Sequence, residues 1–204
     1  MGRFKIKKQD TFIDMTPMSD VMVLLLTFFM LTATFVKEEP VKVVTPGSVS
    51  EIKIPESNLL TIFVRPNADN QSGKVFMTMD SKEVLGQMAD KVLGTLTPDE
   101  RKAFQLAPTF GYSKDLMKSW LDAPAENRNS LLQKAEAGIP CDSANDQLKE
   151  WVQAARDAAG DNMRIAIKAD QKTPYAVIKN VMNSLRSIHE NRYNLITSLK
   201  NCED

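Results

Sequence analysis

One long hydrophobic run sets the organisation of the first fifth of the chain. From residue 21 to 36 every position is apolar except Thr27, Thr32 and Thr34, and Ile13, Met15 and Met18 extend the run backwards around Asp14, Thr16 and Asp20. As a helix, residues 13–36 would be roughly 36 Å long, enough to cross a hydrocarbon core of about 30 Å with some tilt. The pattern changes at once beyond it. Residues 37–55 carry Pro40, Pro46, Gly47, Ser48, Ser50 and Pro55 among alternating charges, the composition of a flexible, extended tether. Two strand-like runs follow, 59–65 and 74–79, and the turn-rich stretch between them makes a hairpin. Ser81 opens a helical pattern through Val84, Leu85, Met88, Val92 and Leu93, and Thr97-Pro98-Asp99-Glu100 is a capping box with proline at the first helical position.

A mostly helical stretch then runs to about residue 159, with Trp120, Leu121, Leu131, Leu132, Leu148, Trp151 and Val152 at helical spacings that suit a core. Residues 163–168 alternate as a strand. Thr173-Pro174 caps a helix carrying Val177, Ile178, Val181, Met182, Leu185 and Ile188, and 193–199 return as a strand. The pattern predicts a single N-terminal transmembrane helix followed by an exported α+β domain. That domain has two layers, a hairpin plus a strand-helix-strand unit, with a helical insertion at about 97–160. The predicted divisions are 1–12 before the membrane, 13–36 within it, 37–55 as linker and 56–204 as the domain.

The flanking charges give the helix a direction. Arg3, Lys5, Lys7 and Lys8 precede it and Lys37, Glu38 and Glu39 follow, so the positive-inside rule puts the N-terminus in the cytoplasm and the domain outside. A cleavable signal has the same general form, but the run is too long for one, contains Asp20 and is followed by no convincing small-residue cleavage site. The chain balances 26 basic against 26 acidic residues and has no basic footprint for nucleic acid. It holds one histidine, His189, read as a surface residue at a helix end, and no phosphate-binding loop or metal-ligand cluster. An enzyme is not expected, and no cofactor or metal. Cys141 and Cys202 would both lie in an oxidising compartment, where a disulfide between them is one possibility. Asn70-Gln71-Ser72 matches a glycosylation sequon, which such a turn produces by chance.

Asp20 carries the candidate chemistry. A carboxyl about 10 Å along a membrane helix costs roughly 2.5–3.5 kcal/mol on insertion scales and is rarely kept without a partner or a water-lined path. The expected role is proton handling; the plainer ones are snorkelling to the interface or toleration in a simple anchor. Thr16, Asp20, Thr27 and Thr34 share one helical face, a seam of hydroxyls about one acid, although threonines in membranes also bond back to the preceding turn. One helix makes no proton path alone, so a membrane partner or oligomer is implied.

Residues 13–26, Ile-Asp-Met-Thr-Pro-Met-Ser-Asp-Val-Met-Val-Leu-Leu-Leu, resemble the start of the membrane helix of the ExbD/TolR family of energy-transducing accessory subunits, with Thr16-Pro17 ahead of Asp20-Val21-Met22. Ile165-Ala166-Ile167-Lys168-Ala169-Asp170, then Thr173-Pro174-Tyr175 and Val181-Met182, are similar to the family's final strand, turn and Tyr-bearing helix, and a looser similarity covers 52–83. The resemblance implies a bacterial inner-membrane protein with a periplasmic domain, acting as a homodimer whose helices sit inside an ExbB-like pore. It makes Asp20 the protonatable group and a TonB-like protein the periplasmic partner. A TolR-like role in outer-membrane maintenance shares the motif, and a MotB-like stator subunit would need a larger peptidoglycan-binding domain. Residues 97–160 have no counterpart in that pattern and are expected to sit to one side, leaving the sheet edges of 56–83 and 163–199 free for dimerisation or for an extended partner peptide. Asp170 is expected to serve the turn ahead of the helix, with partner contact as the other option.

Overall fold

The computed structural model describes residues 16–33, 40–48, 58–67, 72–94, 96–134, 136–142 and 145–199. The chain divides into two units, Met1–Glu38 and Glu39–Asp204. In the first, α1 (Thr16–Thr32) is a 17-residue helix. At about 1.5 Å per residue it is about 26 Å long. Among the described residues no helix is long and apolar enough to cross a membrane. The outer parts of the expected 13–36 span, residues 1–12, Thr34, Asn70, Gln71, Cys202 and residues 49–55 of the tether lie outside the described residues.

The second unit is an α+β domain. Its strands are β1 (Gly47–Ser48), β2 (Leu59–Pro66), β3 (Gly73–Met79), β4 (Thr109–Phe110), β5 (Cys141–Asp142), β6 (Asn145–Asp146), β7 (Arg164–Ala169), β8 (Tyr193–Leu195) and β9 (Ser198–Leu199). Its helices are α2 (Lys82–Leu93), α3 (Pro98–Gln105), α4 (Lys114–Leu121), α5 (Ala125–Leu131), α6 (Gln147–Ala159) and α7 (Tyr175–Ser187). Five strands form one mixed sheet in the order β4-β3-β2-β7-β8. The hairpin pairs β2 with β3 antiparallel, and β7-α7-β8 is the expected strand-helix-strand unit, with β7 parallel to both β2 and β8.

Alternation sorts the strand residues onto two faces, because successive side chains point to opposite sides. The register Leu60↔Met79, Ile62↔Met77, Leu60↔Ile165 and Ile62↔Ile167 puts these six on one face, and all are at most 1% exposed. The buried stripes of α2, α6 and α7 join that face in a single core.

The region expected to be a lateral insertion is part of this core. Its last helix, α6, packs against both α2 and α7. Trp151 from α6 stacks on Phe104 of α3 at 5.8 Å and lies 4.8 Å from Phe110 of β4, and all three rings are fully buried. Arg128 of α5 ties the region together by donating to the carbonyls of Leu121, Ala123 and Ala103. The reason it does not stand aside is hydrophobic: Phe104, Phe110, Leu148 and Trp151 belong to the same buried cluster as the sheet and α2, and burial there removes them from water.

Local signals held where they were strongest. Thr97 caps α3, its Oγ1 accepting from Glu100 N while the Glu100 carboxylate accepts from Thr97 N at 2.7 Å. The Thr97 N–H and then the Thr97 hydroxyl, both donating to the Glu100 carboxylate, hold it below its ordinary pKa. The start of α7 differs from expectation: Pro174 is its N-cap, and the Thr173 hydroxyl donates instead to Val64 O at 3.3 Å. Residues 193–199 form two strands, not one, since β8 stays in the main sheet while β9 pairs in parallel with β1.

Candidate functional site

The chemistry expected of the first unit rests on one carboxylate in an apolar cylinder. From Pro17 to Ala33 every described side chain of this unit is exposed, including Met22, Phe29 and Leu31. A helix apolar all round needs lipid or other protein about it, not water. Asp20 is its one ionisable group, a turn in from its start. Thr27 lies seven residues on and so on the same face, but its hydroxyl donates to Leu24 O at 3.0 Å, and Thr32 donates to Phe28 O at 2.8 Å. The plainer role assigned to the threonines is the one observed for Thr27. The side chain of Thr16 is not among those described, so the expected seam is represented by Asp20 and Thr27.

In the second unit the described part of the tether is docked, contrary to the expectation of a flexible linker. Val41 is buried in the core, and Val44 is fastened at both ends of its peptide: its N–H donates to the Asp170 carboxylate at 3.0 Å and its carbonyl accepts from Gln171 N at 2.8 Å. Pro46 O accepts from Ser198 N, next to the β1–β9 pairing. Asp170 therefore does two jobs. One oxygen accepts from Lys172 N to form the turn ahead of α7, and the other holds residue 44. Prolines did exclude helix here, but an extended strand can still dock by its backbone.

The sheet edges are not equivalent. Along β3 the outer edge is already used: Met77↔Phe110 and Thr78↔Thr109 pair it with β4, Met79 N donates to Pro108 O, and Ile139 N donates to Val75 O. The expectation of a free edge on the hairpin is corrected by these bonds from the 97–160 region. A Cβ at Gly111 would lie 2.2 Å from Phe76, so only glycine lets the chain pass so close to the sheet. The sheet therefore ends at the two-residue β4 on this side and at β8 on the other.

One polar grouping near the β8 edge had no signal in the sequence. Arg156 of α6 pairs with Glu190 through both its Nε and Nη2, and its Nη1 donates to Met163 O at 2.9 Å. The two side chains are 23% and 15% exposed and lie 34 positions apart, beyond any helical or hairpin spacing. The pair locks the end of α6 to the turn after α7. In that turn His189 has φ 62 while Glu190 N reaches back to Leu185 O, so the histidine ends the helix from the surface, as expected. Arg156→Ala would leave the Glu190 carboxylate half-desolvated without its cation. A loss of about 3 kcal/mol is expected, read as a lower urea midpoint with unchanged slope.

Cys141 is a free, buried thiol at the start of β5. Burial, then Asp142 and Asp146, push its pKa up to about 11. Its proton is held more tightly folded than unfolded, so its contribution to stability is full below about pH 9 and falls as the pH rises toward 11. A maleimide should leave Cys141 unlabelled in the native protein at neutral pH and label it in denaturant; rapid native labelling would contradict the burial. Among the described residues no group of His, Cys, Asp or Glu could hold a metal ion.

Comparison with known protein families gives a match. The family model for biopolymer transport protein ExbD/TolR covers residues 7–200, which includes α1, the docked tether and the 97–160 region. Searches of curated proteins and of solved structures return no match.

Proposed function

The chain belongs to the ExbD/TolR family of biopolymer transport accessory subunits, and from that premise we propose that it couples proton flow through Asp20 to mechanical work on a periplasmic partner. In this reading, the N-terminus lies in the cytoplasm, α1 with its flanking residues crosses the inner membrane once, and the α+β domain is periplasmic. The observation that carries it is the single acid on an apolar helix with no charge of its own to answer it.

The physics of the step is a carboxyl alternating between two surroundings. Facing a water-lined path, Asp20 is stable charged; against lipid or an apolar wall, desolvation favours its neutral form. Loading the proton from one side and releasing it to the other biases movement of the helix, with about 2.3 kcal/mol supplied per charge per 100 mV. Such a path needs surrounding helices, so the complex contains an ExbB-like pore subunit and a second copy of this chain. The domain then transmits the movement to a TonB-like protein that energises outer-membrane import.

Purification of the full chain from native membranes in mild detergent, with identification of what accompanies it, tests the reading. A polytopic pore subunit together with a TonB-like protein is the expected result. Tol components in its place would assign the same chemistry to envelope maintenance, and recovery of the chain with no pore subunit would overturn the proposal.

A further inference from the structure

We propose that the cleft at the N-terminal ends of β7 and β8 is a docking site for an acidic peptide segment of a partner protein, whose carboxylates are taken by Arg164 and Arg192. The inference goes beyond the proton-coupled reading and does not depend on it. The cleft has a volume of about 500 Å³ and is lined by Arg164, Arg192, Asp161, Asn191, Tyr193 and Asn194, with the Arg156–Glu190 pair at its side.

Charge is what selects the occupant. The register Ile165↔Tyr193 brings Arg164 and Arg192, one residue earlier on each segment, side by side. Both are exposed, and among the described residues none pairs with either guanidinium. Like charges directly opposite each other work against a sheet, so an unpartnered arginine pair is a poor choice for the fold alone. Arg156 already occupies Glu190, which leaves Asp161 as the single uncommitted carboxylate against two arginines. Guanidinium groups take carboxylates in a bidentate manner, and two adjacent forks match acidic side chains along one extended segment.

Geometry points to a peptide. β8 ends the sheet, so extended backbone is offered beside the arginines, and Asn191 and Asn194 can both donate to and accept from peptide groups. The outer side of β3 is taken by β4 and Ile139, and β4 is only two residues long, so β8 is the longer edge for an added strand to join. A second copy of the chain would bring the same two arginines to the contact, and like charge disfavours it.

Full-length protein in detergent micelles, titrated against a fluorescein-labelled peptide of alternating Glu and Val, tests this by anisotropy. Binding is expected, weakening as salt rises, and it should fall about tenfold or more in Arg164→Gln/Arg192→Gln, the size that losing charged hydrogen bonds implies. Lys118→Gln, which removes an exposed cation from α4, should change nothing. The charge-reversed Arg164→Glu/Arg192→Glu protein should prefer the matching Lys and Val peptide, a gain that misfolding cannot produce. No binding by the native protein, equal binding of a Gln and Val peptide, undiminished binding by the Gln variant or failure of the charge reversal to switch preference would each overturn the proposal. So would inorganic phosphate competing as well as the unlabelled Glu peptide, which would make the arginines a free-anion site.

Discussion

Cells in which Asp20 is replaced by asparagine are expected to lose energised function entirely while the protein still inserts and assembles. Asparagine keeps the size of the side chain and its carbonyl acceptor, but it cannot gain or lose a proton. The substitution also lowers the insertion cost, because a neutral amide replaces a group that costs roughly 2.5–3.5 kcal/mol when charged, so abundance and complex formation should be unchanged or improved. Function should fall to the level of a strain lacking the protein, measured as outer-membrane import and as envelope leakage. Recovery of the pore subunit by co-purification serves as the assembly control. Normal activity would remove proton handling from Asp20, whereas loss of the complex would make the residue a structural contact. Thr27→Val is expected to act weakly, because the hydroxyl is spent on Leu24 O within its own helix.

The second large effect is expected in the domain core, at Trp151. Its ring packs against both Phe104 and Phe110, which also touch each other at 5.0 Å, and is fully buried. Truncating a buried tryptophan to alanine costs about 3–5 kcal/mol, against a total stability of about 5–15 kcal/mol for a domain of ordinary kind. Trp151→Ala should therefore remove a large fraction of the stability, and excision of residues 97–160 should abolish folding. The second outcome reverses the expectation that this region stands aside. Trp151→Phe should cost much less than alanine, because it leaves a smaller cavity and deletes an indole N–H that has no hydrogen-bond partner. Leu116→Ala, on an exposed position of α4, should stay within about 0.5 kcal/mol. Urea denaturation followed by circular dichroism reads all four. A stable, folded domain lacking 97–160 would show that α2, α7 and the sheet close a core without α6.

The periodic elements were legible from residues alone, for a physical reason that particular segments make plain. Val84, Leu85 and Met88 fall on one side of α2, and Val177, Val181 and Leu185 on one side of α7, because a helix brings residues three and four apart onto one stripe. Leu60, Ile62 and Val64 declare β2 through a period of two. The capping box at Thr97 is equally local, since both of its bonds close within four residues. Asp20 stood out for a related reason: its meaning lies in its contrast with the apolar residues on either side.

What tertiary structure alone decided are the pairings between distant segments. β4 is two residues long and carries no period that could announce it, yet it closes the β3 edge. Val44 meets Asp170 across 126 positions, and Arg156 meets Glu190 across 34. Asp170 was visible as a turn residue because that role is written in its neighbours; its hold on the tether is not. The same holds for the two arginines at the β8 edge, which become adjacent only through the register of β7 with β8. Hydrophobic periodicity specifies which face of an element is buried. Which element covers that face is settled by how all the apolar faces share one core, and so α6 came to lie between α2 and α7 rather than outside them.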